Sequence, residues 1–569
     1  QYTLHAQHNN FTFTFNQHYV CLIPAGVYAH PNDCNVWAKT AAGWVCGLER
    51  EASDGSRYAS FRGMPYAKQP LGDLRFKELE PLDPWDNVFD ATNEGPVCYQ
   101  TDVLYGKIMK PRGMSEACIH ANVHVPIEAL PKDTPAPGLP IFVFIHGGGF
   151  AFGSGDTDLH GPEYLISKKM IIITFNYRLN VFGFLSLNTS KVPGNAGLRD
   201  MITLLHWVKQ NAHNFGGDPN NVTIGGQSAG AIAAHLLTLS KAAEGLFQKA
   251  ILMSGTAISS FYSSSPVFAQ YLKTQLLATL SINATDPDDI YQQLVDLPAE
   301  RLHEANKLIL DQNGLTTFVP TVETAFDGVK AVVDENPENL LASDRGKDIS
   351  ILVGFTNAEC ETFRKRFEQF DLVEKVKENP FIIIPPQVLF TTPPNMLPAI
   401  AKKLDDRYYN GEFSTDSFVQ SCSEGFYEYP VMKISSMRNN ATHKPMYAYR
   451  FAYNSDNSVI KEALGLNFTG AGHIEDLTYI FKANSVLTSP QQRKGGDDGY
   501  IRYLMIEYFK SFIIDSKPIP DETYFKWPST NRMHLRYKDI RTPSVNNVNT
   551  ASSRQKEVFE FFDNLRVVA

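Results

Sequence analysis

The stretch Asn221–Ser240 reads NVTIGGQSAGAIAAHLLTLS, and it predicts a strand, a tight turn and a helix in direct succession. Val222–Ile224 are typical of a strand, whereas the alanines and leucines from Ala229 onward favour a helix. Ser228 lies at the turn in the pattern G-x-S-x-G, whose glycines avoid clashes where strand and helix meet. We expect the Ser228 hydroxyl to point outward as a nucleophile, with the helix N-terminus favouring negative charge beside it.

The glycine run HGGGFAFGSG, His146–Gly155, follows a predicted strand and is the second chemical motif. Acyl transfer needs hydrogen-bond donors where the carbonyl oxygen becomes an oxyanion. Glycine N–H groups can approach that point because no Cβ interferes. A phosphate-binding loop would need a Lys-Ser/Thr end or a G-x-G-x-x-G register, and this run has neither. Together the two motifs favour a serine hydrolase over a Gly-Ser turn in some other α/β protein.

The order of β-rich and helical segments predicts the fold class. Short β-rich runs alternate with amphipathic helical stretches between about Arg62 and Asp218. The runs IFVFIH and IIITFNY are continuously apolar, as expected of strands that are buried on both faces. The sequence therefore predicts an α/β fold with a large, mostly parallel central sheet and helices on both faces. Helical insertions in the second half, such as Leu276–Leu310, are expected to form a cap or gorge wall.

A serine nucleophile needs a histidine and an acid, which follow it in the order serine, acid, histidine in this type of fold. His473, in GAGHIEDLTYIF, lies in a glycine-framed loop before an apolar helix. Glu359 follows the predicted strand Ile349–Gly354, which suits a residue at the carboxyl edge of a sheet. The chain has 15 histidines, so spacing alone leaves other choices open for both partners.

At these residues the chain resembles the carboxylesterase/cholinesterase family of α/β-hydrolases, from about Gly43 to Leu565. Within that family it is most similar to the juvenile hormone esterases of moths and butterflies. The first pointers are Gln227 in GQSAG and the run NEGPVCYQTDVLYGK. The others are Ala117 in MSEACIHANVHVP, where most relatives carry Asp, and Cys360 in TNAECETF, where they carry Gly. The family motifs that carry the resemblance are SFRGMPYAKQPLGDLRF, HGGGF, NYRLNVFGFLS, NAGLRDM, NFGGDPNNVTIGGQSAG, ILMSGT, GFTNAECETF and GAGHIEDLTY.

The resemblance implies a role for each residue at a matching position. Ser228 is the expected nucleophile, His473 the base and Glu359 the acid that orients it. The groups around this triad have expected roles as well. The oxyanion N–H donors are Gly148, Gly149 and Ala229. Ser254 is expected to support the acid of the triad, and Gln227 to lie beside the imidazole as a neutral side chain. No metal or cofactor is expected for this chemistry.

The resemblance also implies scaffold contacts and a redox compartment. Cys98 and Cys118 match the family's first disulfide, which implies an oxidising compartment. Cys360 and Cys422 are then expected to be buried free thiols. Two further residues match a structural ion pair, Arg62 and Glu116. The pairing of the remaining cysteines stays open: Cys21, Cys34 and Cys46.

The expected substrate is a small, neutral, hydrophobic ester, with the methyl ester of insect juvenile hormone first among the alternatives. The Cys98–Cys118 loop contains no tryptophan on which a choline cation could bind. Met201 departs from the Asp-Gln pair that is typical of the hormone esterases. A general or odorant- or pheromone-degrading carboxylesterase is therefore the alternative. A catalytically silent ligand-binding or adhesion relative is disfavoured because the triad residues are all present.

Composition and charge exclude several other classes. The net charge is −9 and no block of basic residues occurs, which argues against a nucleic-acid partner. No apolar run approaches the ~18 residues of a membrane span. Secretion into an extracellular, haemolymph-type fluid is expected. The sequons at which we predict N-glycans are Asn188, Asn283 and Asn440.

The expected domain organisation is simple. Residues 1–40 form an N-terminal segment of uncertain status, in which Tyr19–Ala29, YVCLIPAGVYA, resembles the core of a leader remnant. Residues 41–569 are predicted to form a single domain, because no linker marks a boundary after residue 40.

Overall fold

The structure is a computed structural model that describes residues 34–131, 138–314, 317–439, 441–486, 490–492, 495–520, 526–543 and 547–565. The described strands are β1 Val36–Lys39, β2 Trp44–Glu51, β3 Arg57–Pro65, β4 Phe89–Asp90, β5 His120–Pro126, β6 Leu139–Ile145, β7 Ile171–Phe175, β8 Gly217–Gln227, β9 Lys249–Met253, β10 Ser350–Thr356, β11 Met446–Phe451, β12 Arg536–Ile540 and β13 Val548–Thr550. The leader-like stretch Tyr19–Ala29 lies outside the described residues.

The helices of the described chain follow most strands and also form a long insertion. They are α1 Asn180–Phe184, α2 Ala196–Asn211, α3 Ala229–Leu239, α4 Pro266–Thr279, α5 Pro287–Asp296, α6 Ala299–Asn313, α7 Pro337–Ala342, α8 Arg364–Gln369, α9 Leu372–Glu378, α10 Pro386–Leu389, α11 Leu397–Leu404, α12 Thr415–Cys422, α13 Tyr429–Ser436, α14 Val459–Leu464, α15 Gly496–Asp515 and α16 Ser553–Asp563.

All the strands belong to one sheet with the order β1-β2-β3-β5-β7-β6-β8-β9-β10-β11-β12-β13, and β4 pairs with β2. The central strands from β7 to β12 run parallel, while β1, β2, β3, β5 and β7 pair antiparallel at one side. In the parallel centre, Gln227 of β8 pairs with Met253 of β9, which pairs with Gly354 of β10. The carboxyl ends of these three strands therefore lie side by side, which brings the residues that follow them together.

The apolar strand runs contribute alternately to two buried clusters, because successive strand residues point to opposite faces. Ile141, Val143 and Ile145 of β6 pack with α2 and α3 on one face. Phe142 and Phe144 of the same strand pack with α15 on the other. The predicted mostly parallel sheet with helices on both faces is confirmed.

The segment from Cys360 to Tyr427 and the last helix, α16, share an apolar cluster of their own. Its members include Phe363, Phe367, Phe418 and Tyr427, and the cluster is separate from the two that flank the sheet. This insertion forms the wall expected from the sequence, although it lies further along the chain than Leu276–Leu310. No helix in the described ranges combines the length and the apolar character that a membrane crossing requires.

The predicted ion pair between Arg62 and Glu116 is wrong. Arg62 instead pairs with Glu94 at 3.3 Å, whereas Glu116 accepts two hydrogen bonds from Arg75, at 2.7 and 2.6 Å. The reason is the route of the Cys98–Cys118 loop, which brings Glu116 beside Arg75. The Arg75 guanidinium also binds the carbonyl groups at the end of α5, including that of Leu294 at 3.0 Å.

The prediction that Cys360 and Cys422 are free thiols is also wrong, because the two residues form a disulfide. The fold places them 6.0 Å apart at Cα, within the range of a disulfide, although 62 residues separate them in the chain. Cys98 and Cys118 form the disulfide that the resemblance implied. A third disulfide joins Cys34 to Cys46 at β2, and Cys21 lies outside the described residues.

A buried ion pair provides a test of how the sheet and α2 are held together. Arg178 donates to both carboxylate oxygens of Asp200, at 2.9 and 2.6 Å, and both side chains are buried. We expect Asp200→Ala to destabilise the protein by about 3–5 kcal/mol, since it leaves the guanidinium buried without its partner. The measurement is the midpoint of urea unfolding. Asp288→Ala, which breaks an exposed pair with Lys191, is the control and should cost about 1 kcal/mol or less.

Candidate active site

The turn between β8 and α3 holds Ser228 in a strained backbone conformation, with φ 57° and ψ −125°. An ideal Cβ on Gly226 would lie 2.2 Å from the carbonyl carbon of Gly230. A Cβ on Gly230 would lie 2.0 Å from the carbonyl oxygen of Ile145 in β6. Neither position can accept a side chain, so the G-x-S-x-G spacing is required by the close packing of α3 on the sheet.

The glycine run after β6 lies beside this serine. Gly148 and Gly149 have positive φ values of 108° and 62°, and both line one cavity together with Ser228. A Cβ on Gly148 would lie 2.0 Å from the carbonyl oxygen of Phe152, so this turn also requires glycine. Ala229 is the first residue of α3, where a helix leaves its N–H groups without intrahelical acceptors. Gly148 and Gly149 thus share a cavity with Ser228, and Ala229 directly follows it in the chain.

His473 and Glu359 are in direct contact. The imidazole Nδ1 lies 2.6 Å from Glu359 Oε2, and both side chains are buried. Glu359 Oε1 accepts a second hydrogen bond, 2.7 Å long, from the backbone N–H of Thr356 at the end of β10. The two loops are also joined where the N–H of His473 donates to the carbonyl of Glu359 at 3.2 Å. With Nδ1 donating to the carboxylate, Nε2 is left as the basic nitrogen.

Gln227 lies against that basic nitrogen. Its Nε2 is 3.0 Å from His473 Nε2 and donates to it. No hydrogen bond joins Ser228 to His473 in the described chain. The structure therefore brings histidine and acid together, and the amide of Gln227, the residue before Ser228, donates to the imidazole nitrogen that a serine proton would need. Catalytic hydrogen bonds of this kind often tighten only when substrate binds.

Ser254 does not contact the acid. Its backbone N–H donates to the carbonyl of Gly354 at 2.8 Å, but its buried hydroxyl has no hydrogen-bond partner among the described residues. The acid is held instead by the Thr356 N–H, which a reading of side chains does not reveal. Sequence reasoning also missed the ring packing on the base. The ring centroids of Tyr427 and Phe363 lie 4.9 and 5.1 Å from that of the imidazole, and Tyr427 falls in none of the motifs quoted above.

A cavity of ≈ 1000 Å³, counted with its open mouth, adjoins Ser228. One charged residue, Arg366, belongs to the described lining, and its guanidinium donates to the carbonyl of Gly314 at 3.0 and 2.9 Å. No aspartate or glutamate is found among the described residues of the lining. The apolar part of the lining consists of Leu104, Tyr105, Phe152, Phe261, Phe363, Phe367, Phe370, Leu372, Ile382, Pro386, Phe418, Phe426 and Tyr427. The cavity therefore suits an uncharged, apolar ligand.

Met201, the position that departs from the hormone esterase pattern, lies away from this cavity. It is buried in α2 and belongs to the cluster that packs α2 and α3 on the sheet. Its neighbour Asp200 binds Arg178 rather than any residue of the cavity lining. The substitution thus affects core packing and leaves the cavity lining unchanged.

A strained serine at a strand–helix turn, beside glycine N–H groups and a histidine–glutamate pair, defines a serine hydrolase built on an α/β sheet. A model of the Carboxylesterase family matches residues 35–561, and the chain belongs to that family. It is 56% identical over 535 residues to the juvenile hormone esterase of Heliothis virescens, covering 94% of each chain. The chain is a carboxylic ester hydrolase with the predicted α/β-hydrolase fold.

Two further relatives agree with this assignment. The juvenile hormone esterase of Tribolium castaneum is 31% identical over 513 residues, covering 86% of this chain and 85% of the relative. The crystal structure of juvenile hormone esterase from Manduca sexta, with OTFP covalently attached, is 53% identical with a TM-score of 0.91. It covers 94% of this chain and all of that one.

A second buried carboxyl group lies close to the histidine–glutamate pair. Asp476 is fully buried, and its Oδ2 accepts a 2.8 Å hydrogen bond from the Tyr449 hydroxyl. Its Oδ1 has no hydrogen-bond partner among the described residues. Burial, with a contribution from the nearby charge of Glu359, raises the pKa of Asp476 to about 7. A carboxyl group in such surroundings is favoured in its neutral form.

This raised pKa predicts how stability depends on pH. Between the ordinary aspartate value of about 4 and about 7, the folded protein holds a proton that the unfolded chain has lost, so stability falls as pH rises. Asp476→Asn resembles the protonated acid and removes this loss. We expect the difference in free energy of unfolding between this variant and the wild-type protein to shift in favour of the variant by on the order of 3 kcal/mol between pH 5 and pH 8.

Urea unfolding of the Asp476→Asn variant at the two pH values measures this effect. Asp288→Asn, at a highly exposed carboxylate, is the matched control and should show no such trend. An Asp476→Asn advantage that is the same at pH 5 and pH 8 would show that Asp476 is ionised throughout.

Proposed function

We propose that Ser228, His473 and Glu359 hydrolyse esters through an acyl-enzyme. The observation that carries this proposal is the 2.6 Å contact between His473 and Glu359 beside the cavity that Ser228 and the glycine run line. His473 Nε2 accepts the Ser228 proton as the hydroxyl attacks the ester carbonyl. This requires the Gln227 amide to release Nε2 when substrate enters.

The later steps use the same groups. The N–H groups of Gly148, Gly149 and Ala229 stabilise the tetrahedral oxyanion. His473 then protonates the departing alkoxide, and after the alcohol leaves it activates water to release the acid. Glu359 keeps the imidazole oriented and stabilises its protonated form, assisted by the N–H of Thr356.

We further infer that the substrate is a neutral, hydrophobic ester, with the methyl ester of insect juvenile hormone as the leading candidate. Its support is the apolar lining without a described carboxylate, and the similarity to proteins named juvenile hormone esterase. The carbonyl of a conjugated ester is a weak electrophile, so the oxyanion donors must contribute strongly.

Secretion into an extracellular fluid is part of this proposal. Three disulfides support it, since such bonds persist in oxidising compartments. The predicted glycan sites Asn188 and Asn283 are exposed, as glycosylation requires, whereas Asn440 lies outside the described residues.

Replacing the nucleophile tests the mechanism, and a panel of esters tests the substrate. Ser228→Ala should lower kcat by on the order of 10⁴-fold or more, because no other group can form the acyl-enzyme. The wild-type enzyme should hydrolyse the hormone methyl ester with a higher kcat/KM than short alkyl acetates or long-chain acetates offered together. Equal turnover of the three would identify a general esterase, and activity surviving in Ser228→Ala would contradict the mechanism.

The neutral side chain of Gln227 gives a prediction of its own. Gln227→Glu places a carboxylate against His473 Nε2, where it stabilises the imidazolium. A higher pH is then needed to keep the base free, so the acidic limb of the kcat/KM profile should move upward, by about one pH unit. Gln227→Met, which is uncharged and of similar size, is the control for lost hydrogen bonding. An unmoved limb with unchanged turnover of the hormone ester would show that the charge at this position is unimportant.

A further inference from the structure

The Cys360–Cys422 disulfide lies directly beside the acid of the site. Cys360 follows Glu359 in the short helical turn Glu359–Phe363 and is fully buried. Cys422 ends α12 and lines the cavity. The backbone N–H of Cys360 also donates to the hydroxyl of Ser423, at 3.0 Å. The turn that carries Glu359 is therefore fixed to the end of α12 by a covalent bond and a hydrogen bond.

The same wall segment also meets the histidine. The residues after Cys422 form a π-helical turn, Ser423–Glu428, which places the Tyr427 ring 4.9 Å from the imidazole centroid. Such wide turns are rare and are frequent at functional sites. One continuous stretch of wall thus contacts the acid's turn through the disulfide and the base through an aromatic ring.

The wall is thin where the disulfide crosses it. One face of α12 presents Phe418 and Cys422 to the apolar cavity. The opposite face, with Gln420 and Ser423, lines a polar cleft of ≈ 1130 Å³ that is open to solvent. Because open space adjoins α12 on both of these faces, fewer side chains pack against it there, and the covalent link contributes more to holding its position.

The disulfide also closes the insertion that shapes the cavity. The two cysteines are 62 positions apart in the chain, and the segment between them carries several lining side chains, among them Phe363, Phe367, Phe370 and Phe418. Closing a loop of this length restricts the conformations available to the segment. The disulfide therefore lies at the point where the wall segment begins, next to the catalytic acid Glu359.

We propose that the Cys360–Cys422 disulfide is a positioning element of the esterase site, which aligns Glu359 with His473 and fixes the wall against both. This proposal rests on the catalytic role proposed above for Glu359. A loosened acid orients the imidazole less well and stabilises its protonated form less. The catalytic rate and the pH at which His473 becomes deprotonated then both depend on the Cys360–Cys422 disulfide.

The test is the paired variant Cys360→Ala with Cys422→Ala, assayed with p-nitrophenyl acetate and with a long apolar methyl ester. We expect kcat to fall at least about tenfold on both esters, since misplacing catalytic groups by about 1 Å can cost 10²-fold. The acidic limb of the kcat/KM profile should move downward, because the imidazolium loses part of its stabilisation. KM should rise for the long ester only, because only its long chain reaches the side chains of the wall.

The matched control is Cys34→Ala with Cys46→Ala, which removes a disulfide at β2 instead of one beside the catalytic acid. It should lower the unfolding temperature but leave kcat and the pH profile unchanged. Ser228→Ala separates the two proposals: activity in that variant contradicts the triad. An inactive Ser228→Ala together with a fully active, folded Cys360/Cys422 variant overturns the disulfide's role alone.

Should the paired variant fail to fold, Ser423→Ala tests the same link by removing the acceptor of the Cys360 N–H. We expect kcat to fall by about threefold or more with the same downward movement of the acidic limb, since the turn that carries Glu359 loses its hydrogen bond to the residue after α12. Unchanged kcat and profile in Ser423→Ala, measured beside an unfolded paired variant, would overturn the proposal.

Discussion

The backbone of Ser228 is the constraint on which the rest of the site depends. Its conformation costs free energy, on the order of 1–3 kcal/mol, and persists because the surroundings allow no alternative. Gly226 and Gly230 let α3 approach the sheet so closely that Ile145 of β6 touches the turn. β6 and β8 are buried on both faces, so neither strand can shift to relieve the strain. The stability of the parallel sheet thus keeps the nucleophile in place.

The charges of the side chains around the catalytic histidine depend on how deeply the site is buried. Glu359 accepts hydrogen bonds from the backbone N–H of Thr356 and from the imidazole of His473. Burial raises the pKa of Asp476, whose carboxylate accepts a hydrogen bond from the Tyr449 hydroxyl, to about 7, and Gln227 carries no charge. The histidine therefore faces one carboxylate, and the cavity adds no other among its described residues. A low negative charge beside the nucleophile is consistent with a neutral ester.

The elements that sequence reasoning predicted correctly depend on local order. The strand, turn and helix around Ser228 follow from the periodicity and glycines of one short stretch. The apolar strand runs predicted the parallel sheet for the same reason. Arg75–Glu116 and Cys360–Cys422 were missed because each pair forms only when distant segments meet, which a linear pattern does not encode. Thr356 was missed because its contribution is a backbone N–H, which any residue could supply.

The wall and the catalytic frame are separate in construction. Ser228 and Glu359 follow strands of the sheet, whereas the wall packs in an apolar cluster of its own that also includes residues of α16. Side chains of that cluster can therefore change in size and alter which ester fits, without moving the strand ends that hold the chemistry. A wall that packs separately from the sheet still needs contacts with the catalytic residues, because otherwise its position relative to them would not be fixed. In this chain the two meet where Cys360 adjoins Glu359 and where Tyr427 covers His473. Substrate choice and catalytic alignment are thus joined at contacts where a displaced wall would disturb both.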